Sequence, residues 1–198
     1  MNEFTEVEHK FLLTSDDSTP HLAEEINSWK PESFYSVQVK DHYYLTEAAK
    51  GYIYRHRQDE ILNQLTVKNL ASDNQCRFEV NLSLAKLKAD SSKMARAFLE
   101  PLGILWDGLV LKDVQVFYFP DCEIVIYLAK HLDHELRCLE FEARHPANLE
   151  SALATIQKYE DRLGFQERQR CADSLFDLMC VPYFPSHLKT AMEAVKAP

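Results

Sequence analysis

The chain has 198 residues, 46% of them hydrophobic, and a formal net charge of −9; that length buries one substantial core but is short for two, so a single domain over 1–198 is expected. The acidic balance argues against a surface built for duplex nucleic acid or an anionic membrane, since both need a basic face. Hydrophobic runs such as Ile124 to Leu128 have strand length rather than membrane length, and the acidic start from Met1 to Glu6 lacks an apolar stretch behind a basic one, so a non-secreted, cytoplasmic protein is expected.

From Phe4 to Leu13 polar Glu6, Glu8 and Lys10 alternate with Val7 and Phe11, which predicts a strand. Asp17, Ser18 or Thr19 can cap an amphipathic helix over His21 to Trp29, and Pro31 ends it. Four short β-rich runs follow, at Ser33 to Tyr44, Gly51 to Gln58, Ile61 to Asn69 and Gln75 to Ser83, each bounded by turn residues. Ser91 to Leu102 has helical periodicity through Met94, Ala97, Phe98 and Leu102, with Gly103 as its stop. Strands resume at Leu109 to Phe119, Glu123 to Leu128 and Arg137 to Arg144. Pro146 and Asn148 then open a helix to Leu163 and Gly164, and Glu167 to Met179 reads as another. Ser186 can cap a last short helix after Pro182 and Pro185. About eight strands with peripheral helices predict an α+β fold built on a closed, antiparallel eight-stranded barrel.

The five cysteines have no CxxC spacing and are odd in number, which points to reduced, mostly buried thiols rather than disulfides or zinc. His131, Asp133 and His134 have no second half-site, and a solvated loop is expected there.

Charged residues occupy strand positions at period two in groups that match in kind. Glu6 with Glu8, and Glu140 with Glu142, each project two carboxylates from one face, about 7 Å apart along the strand. Four carboxylates brought together repel unless a cation joins them. The complementary set is Lys10, Arg55 with Arg57, Lys68 and Arg77, with Glu79 and Lys112 as weaker candidates. Any one pair could be a solvated strand face contributing little. Their joint order suggests instead a cavity for a highly charged anion carried with a hard metal, because oxygen ligands suit Mg²⁺ or Mn²⁺.

In that order the residues resemble the CYTH superfamily of triphosphate tunnel metalloenzymes, which takes in class IV adenylyl cyclases, thiamine triphosphatases and inorganic triphosphatases. Glu6-Val7-Glu8-His9-Lys10 is similar to its ExExK signature. His42 to Thr46 resembles the aromatic end of its second strand, and Arg55-His56-Arg57 with Leu65 to Lys68 its phosphate-binding strands. Glu140-Phe141-Glu142 resembles its late ExE strand, and Leu163 to Phe165 with Asp173 to Leu178 its closing helical region. The resemblance implies that Glu6, Glu8, Glu140 and Glu142 hold a divalent metal, Mg²⁺ or Mn²⁺. It further implies that Lys10, Arg55, Arg57, Lys68, Arg77 and Lys112 grip a triphosphate or nucleotide, with Glu6, Glu8, Lys10 and Glu142 as the catalytic set. A triphosphatase acting on inorganic or small organic triphosphate is the first expectation. A class IV adenylyl cyclase making cyclic AMP from ATP and a barrel that binds polyphosphate or nucleotide without turnover are the alternatives. The patterning permits a homodimer. Two positions depart from the family pattern: Val114 stands where a second basic residue follows Lys112, and Ile126 to Lys130 ends its strand without a carboxylate.

Overall fold

The computed structural model describes residues 5–70, 75–85 and 91–196. Its strands are β1 (Thr5–Leu13), β2 (Ser33–Thr46), β3 (Tyr52–Gln58), β4 (Asn63–Asn69), β5 (Cys76–Ser83), β6 (Ile104–Tyr118), β7 (Cys122–His131) and β8 (His134–Ala143). They close into one antiparallel barrel in the order β1-β5-β4-β3-β2-β6-β7-β8. The first strand joins both ends of the sheet: Thr5 to Val7 pair with β5, while Glu8 to Leu13 pair with β8. Closure leaves the sheet without a free edge strand.

Five α-helices lie among the described residues: α1 (Thr19–Ser28), α2 (Ser92–Leu99), α3 (Leu149–Leu163), α4 (Leu175–Met179) and α5 (Ser186–Lys196). Ser18 caps α1 through the His21 amide, and Asn148 with Ser151 forms a reciprocal capping box on α3. Gly164, at φ +75°, ends α3 in the left-handed region that a side chain would disfavour.

Two apolar cores divide the molecule. One lies outside the barrel, where Val7, Phe11, Ile124, Leu139 and Phe141 meet Leu22 and Ile26 of α1 and Ala152 and Ile156 of α3. The other fills one end of the barrel, where Leu175, Phe176 and Met179 of α4 and Leu188 of α5 close on Tyr43, Val110 and Cys138. The outer core makes the inner site: β1 and β8 bury apolar residues outward, so strand alternation turns their glutamates and Lys10 inward.

Three expectations need correction. The strand β6 begins at Ile104 rather than Leu109, because its first residues extend the ladder with β2. There Trp106 lies over Gly108, where an added Cβ would strike the indole. The helix expected over Glu167 to Met179 is confined to α4. The Cys171 N–H donates to the Lys10 carbonyl at 2.8 Å and so lashes the segment across β1, and the Ser174–Asp177 capping box starts the helix late. His131 is buried rather than solvated: its Nδ1 meets the Leu109 carbonyl at 2.7 Å, and its ring lies against Trp106 and Tyr183.

Candidate active site in the barrel interior

The barrel encloses a cavity of about 240 Å³, and each charged residue singled out from the sequence lines it. Register explains the convergence. Glu8 stands opposite Glu142 and Lys10 opposite Glu140 across β1 and β8, while Glu6 faces Arg77 across β1 and β5. Carboxylate oxygens of Glu6, Glu8 and Glu142 all lie within 4.8 Å of one another. Glu140 is directed away from this cluster, accepting from the Tyr127 hydroxyl at 2.7 Å and lying 3.2 Å from Lys10 Nζ.

The carboxyl groups differ in how well they are compensated. Burial raises Glu142 well above the usual carboxylate range, and the charges of Glu6, Glu123, Glu8 and Glu79 push it the same way. Burial also raises Glu8, against the pull of Arg77. For Glu6 burial is outweighed by Arg77, at 2.5 Å, and Lys68, at 3.3 Å, which hold it well below its ordinary value. Lys10, helped by the Tyr127 hydroxyl, likewise overcomes burial at Glu140 and lowers it. Three converging hard oxygen donors, with the Glu142 carboxyl raised by burial and its acidic neighbours, form a donor set that fits a divalent cation.

The cations fall into two groups. Lys68 and Arg77 bridge glutamates: Lys68 reaches Glu6 and Glu79, and Arg77 reaches Glu6 and, at 2.9 Å, Glu8. Arg55 donates to Thr66 at 3.3 Å and lies 3.6 Å from Glu79, while its buried Nε has no partner among the described residues. Arg57 and Lys112 are held differently. Both meet Asp41, a fully buried carboxylate on β2, Arg57 in bidentate fashion at 2.8 and 2.9 Å and Lys112 at 2.7 Å. Burial would raise Asp41, but Arg57 and Lys112 hold it well below the usual range. Burial and the charge of Arg57 bring Lys112 down to about 8.

Val114 points into the cavity, at the position where the sequence departs from the family's basic pattern. Around it the wall is apolar, made by Val37 and Val39 of β2, Val116 of β6 and Val125 of β7. Sequence reasoning missed two acidic residues. Asp41 falls on the face of β2 that also carries Val37, Val39 and Tyr43, so an acid among inward apolar positions was its signal. Glu123 lines the cavity from the start of β7, opposite Glu142 in register, and shares a face with Val125 and Tyr127. Burial raises its carboxyl despite Arg57 and the Tyr118 hydroxyl. The carboxylate expected at the far end of this strand is therefore matched by one at the near end.

Comparisons with known proteins agree with this geometry. The profile of the CYTH domain matches residues 5–169. Among solved structures, the PH1012 protein of Pyrococcus horikoshii OT3 superposes with a TM-score of 0.71 at 18% identity, covering 88% of this chain and 99% of that one. HpAC1 of Hippeastrum, described as having a dominant triphosphatase activity, gives a TM-score of 0.58 at 12% identity, over 92% and 97% of the two chains. A Mimivirus capping enzyme triphosphatase gives 0.54 at 14% identity, over 84% and 91%. No curated protein matches the chain. No helix among the described residues is long and apolar enough to cross a membrane. With the profile spanning most of the sequence, the chain belongs to the CYTH domain family.

Proposed function

We propose that the protein is a divalent-metal-dependent triphosphatase that hydrolyses inorganic triphosphate or a small organic triphosphate. The observation that carries this reading is the convergence of Glu6, Glu8 and Glu142 within 4.8 Å, beside Lys10, Lys68, Arg55 and Arg77 in one barrel cavity. Glu6, Glu8 and Glu142 would hold Mg²⁺ or Mn²⁺, with Glu140 fixing Lys10 beside them. Bound there, the metal would supply Lewis-acid charge stabilisation at phosphate oxygens.

The protein's own residues supply the rest. Lys68 and Arg77, pinned by Glu6, Glu8 and Glu79, present fixed positive charge to oxygens whose charge grows as the phosphoanhydride bond breaks. The unpartnered Nε of Arg55 offers a donor that a phosphate oxygen would satisfy. Water attacks the terminal phosphorus and the bond to the bridging oxygen breaks; that oxygen stays on the departing diphosphate or its ester, the water oxygen ends in orthophosphate, and the water's protons pass to the two products or to solvent. Enclosure in the barrel strengthens each contact by excluding bulk solvent.

A panel of triphosphates with Mg²⁺ or Mn²⁺, assayed for orthophosphate, pyrophosphate and cyclic nucleotide, tests the reading. Orthophosphate release supports it, whereas cyclic AMP with pyrophosphate would replace it by an adenylyl cyclase. The inward Val114 and the engagement of Arg57 and Lys112 by Asp41 favour a second reading, a barrel that binds without turnover. Tight, metal-dependent binding with no product would establish it.

A further inference from the structure

The cavity has two unlike sides. On β1, β4, β5 and β8 it is charged; on β2, β6 and β7 valines make an apolar surface, bounded by Lys112 on β6 and by Glu123, opposite Tyr118, on β7. Val37 lies opposite Val114, Tyr35 opposite Val116, and Val116 opposite Val125, so the surface crosses three adjacent strands without a gap. At its outer end the Tyr35 and Tyr118 rings lie 5.8 Å apart, and their hydroxyls bond to each other at 3.2 Å. The cations nearest this side, Arg57 and Lys112, are already engaged by Asp41.

We propose that Tyr35, Val37, Val114, Val116, Tyr118 and Val125 form a subsite for a flat apolar group esterified to the triphosphate, so that the protein prefers organic triphosphates to inorganic tripolyphosphate. The inference rests on the triphosphate reading of the charged side. A phosphate oxygen against valine loses its hydration and gains no donor, so a bare tripolyphosphate is mismatched on this wall. An aromatic or aliphatic group there buries apolar area, and Tyr35 and Tyr118 line the cavity beside it. One small cavity thus accommodates both parts of an ester, charge on one side and carbon on the other.

The test uses methylene-bridged, non-hydrolysable forms of phenyl triphosphate, methyl triphosphate and inorganic tripolyphosphate, titrated calorimetrically with Mg²⁺ present. The two esters carry equal charge and differ in apolar area, so the phenyl form is expected to bind about tenfold tighter than the methyl form. The near-isosteric double variant Val37→Thr, Val114→Thr should lose that preference while binding tripolyphosphate at least as tightly as before, since the threonine hydroxyls add donors to the wall. Val116→Thr alone serves if the double variant fails to fold by circular dichroism. Equal affinity for all three ligands, or a phenyl advantage that survives in the variants, overturns the subsite and leaves the triphosphate reading intact. If none of the three binds the folded wild-type protein, the triphosphate reading falls and the subsite falls with it.

Discussion

The charged wall and the valine wall share one cavity, one register and the same burial, yet they are held together by opposite means. On β1, β5 and β8 Glu6, Glu8, Glu79 and Glu140 are each offset by a lysine or arginine, whereas Glu142, which converges with Glu6 and Glu8, has no ion pair among the described residues. On β2, β6 and β7 cross-strand valine pairs line the space; Asp41 is bonded on both sides there, and Glu123 stands at the edge opposite Tyr118. The first arrangement stores electrostatic repulsion that a ligand can relieve. The second is already at rest. Binding capacity therefore resides where the fold is least satisfied, and specificity where it is most.

The largest effect expected from testing this contrast is at Glu142. Glu142→Gln should lower metal-dependent hydrolysis by about 100-fold or more, since Lewis-acid stabilisation is worth several kcal/mol. In EDTA the same variant should melt higher than wild type. The folded protein holds this carboxyl above its unfolded value, so wild type loses stability as pH rises from the ordinary carboxylate range to the raised one, and glutamine removes that slope. Thermal melts across pH in EDTA read both the offset and the slope.

Arg57→Ala should behave oppositely, because it leaves buried Asp41 with Lys112 alone. A destabilisation of about 3–5 kcal/mol by urea titration is expected, and restoring near-wild-type stability with Asp41→Asn in the same chain would confirm the cause. Arg55→Ala breaks no comparable pair. It should weaken triphosphate binding by about 1.5–3 kcal/mol with a smaller loss for monophosphate, and equal losses for both ligands would count against a grip on separate phosphate oxygens.

Val114→Arg makes one wall resemble the other. Tripolyphosphate affinity should rise about tenfold, the worth of one charge-assisted hydrogen bond, while the phenyl ester loses its advantage; a uniform gain for both would show that the valine surface selects nothing. The smallest expected effect is at Lys112. Its proton is lost near pH 8, so triphosphate affinity should decline severalfold as pH passes about 8, and Lys112→Met should flatten that limb of the binding profile.

The charged wall was legible because period-two spacing states which residues share a face, and Glu6 with Glu8 or Arg55 with Arg57 repeat within one strand. Asp41 and Glu123 occur singly, each among apolar residues on its own face, so no repetition marked them; only barrel closure reveals that those faces point inward. The valine wall was invisible for a related reason, since Val37, Val39 and Val116 read as ordinary core, and all three do also belong to the inner core. The overextended helix at Glu167 had another origin. Its residues suit a helix locally, but the Cys171 amide is claimed by the Lys10 carbonyl, a bond between positions far apart in sequence that no local pattern contains.

Phe176 closes the end of the barrel, wedged among Tyr43, Trp106 and Phe184 with 2% of its surface exposed, and with Leu175 it faces the cavity. Among the described residues, that end of the bore is stoppered. A fragment left against Phe176 therefore departs away from the plug, behind whatever lies in front of it on that way out.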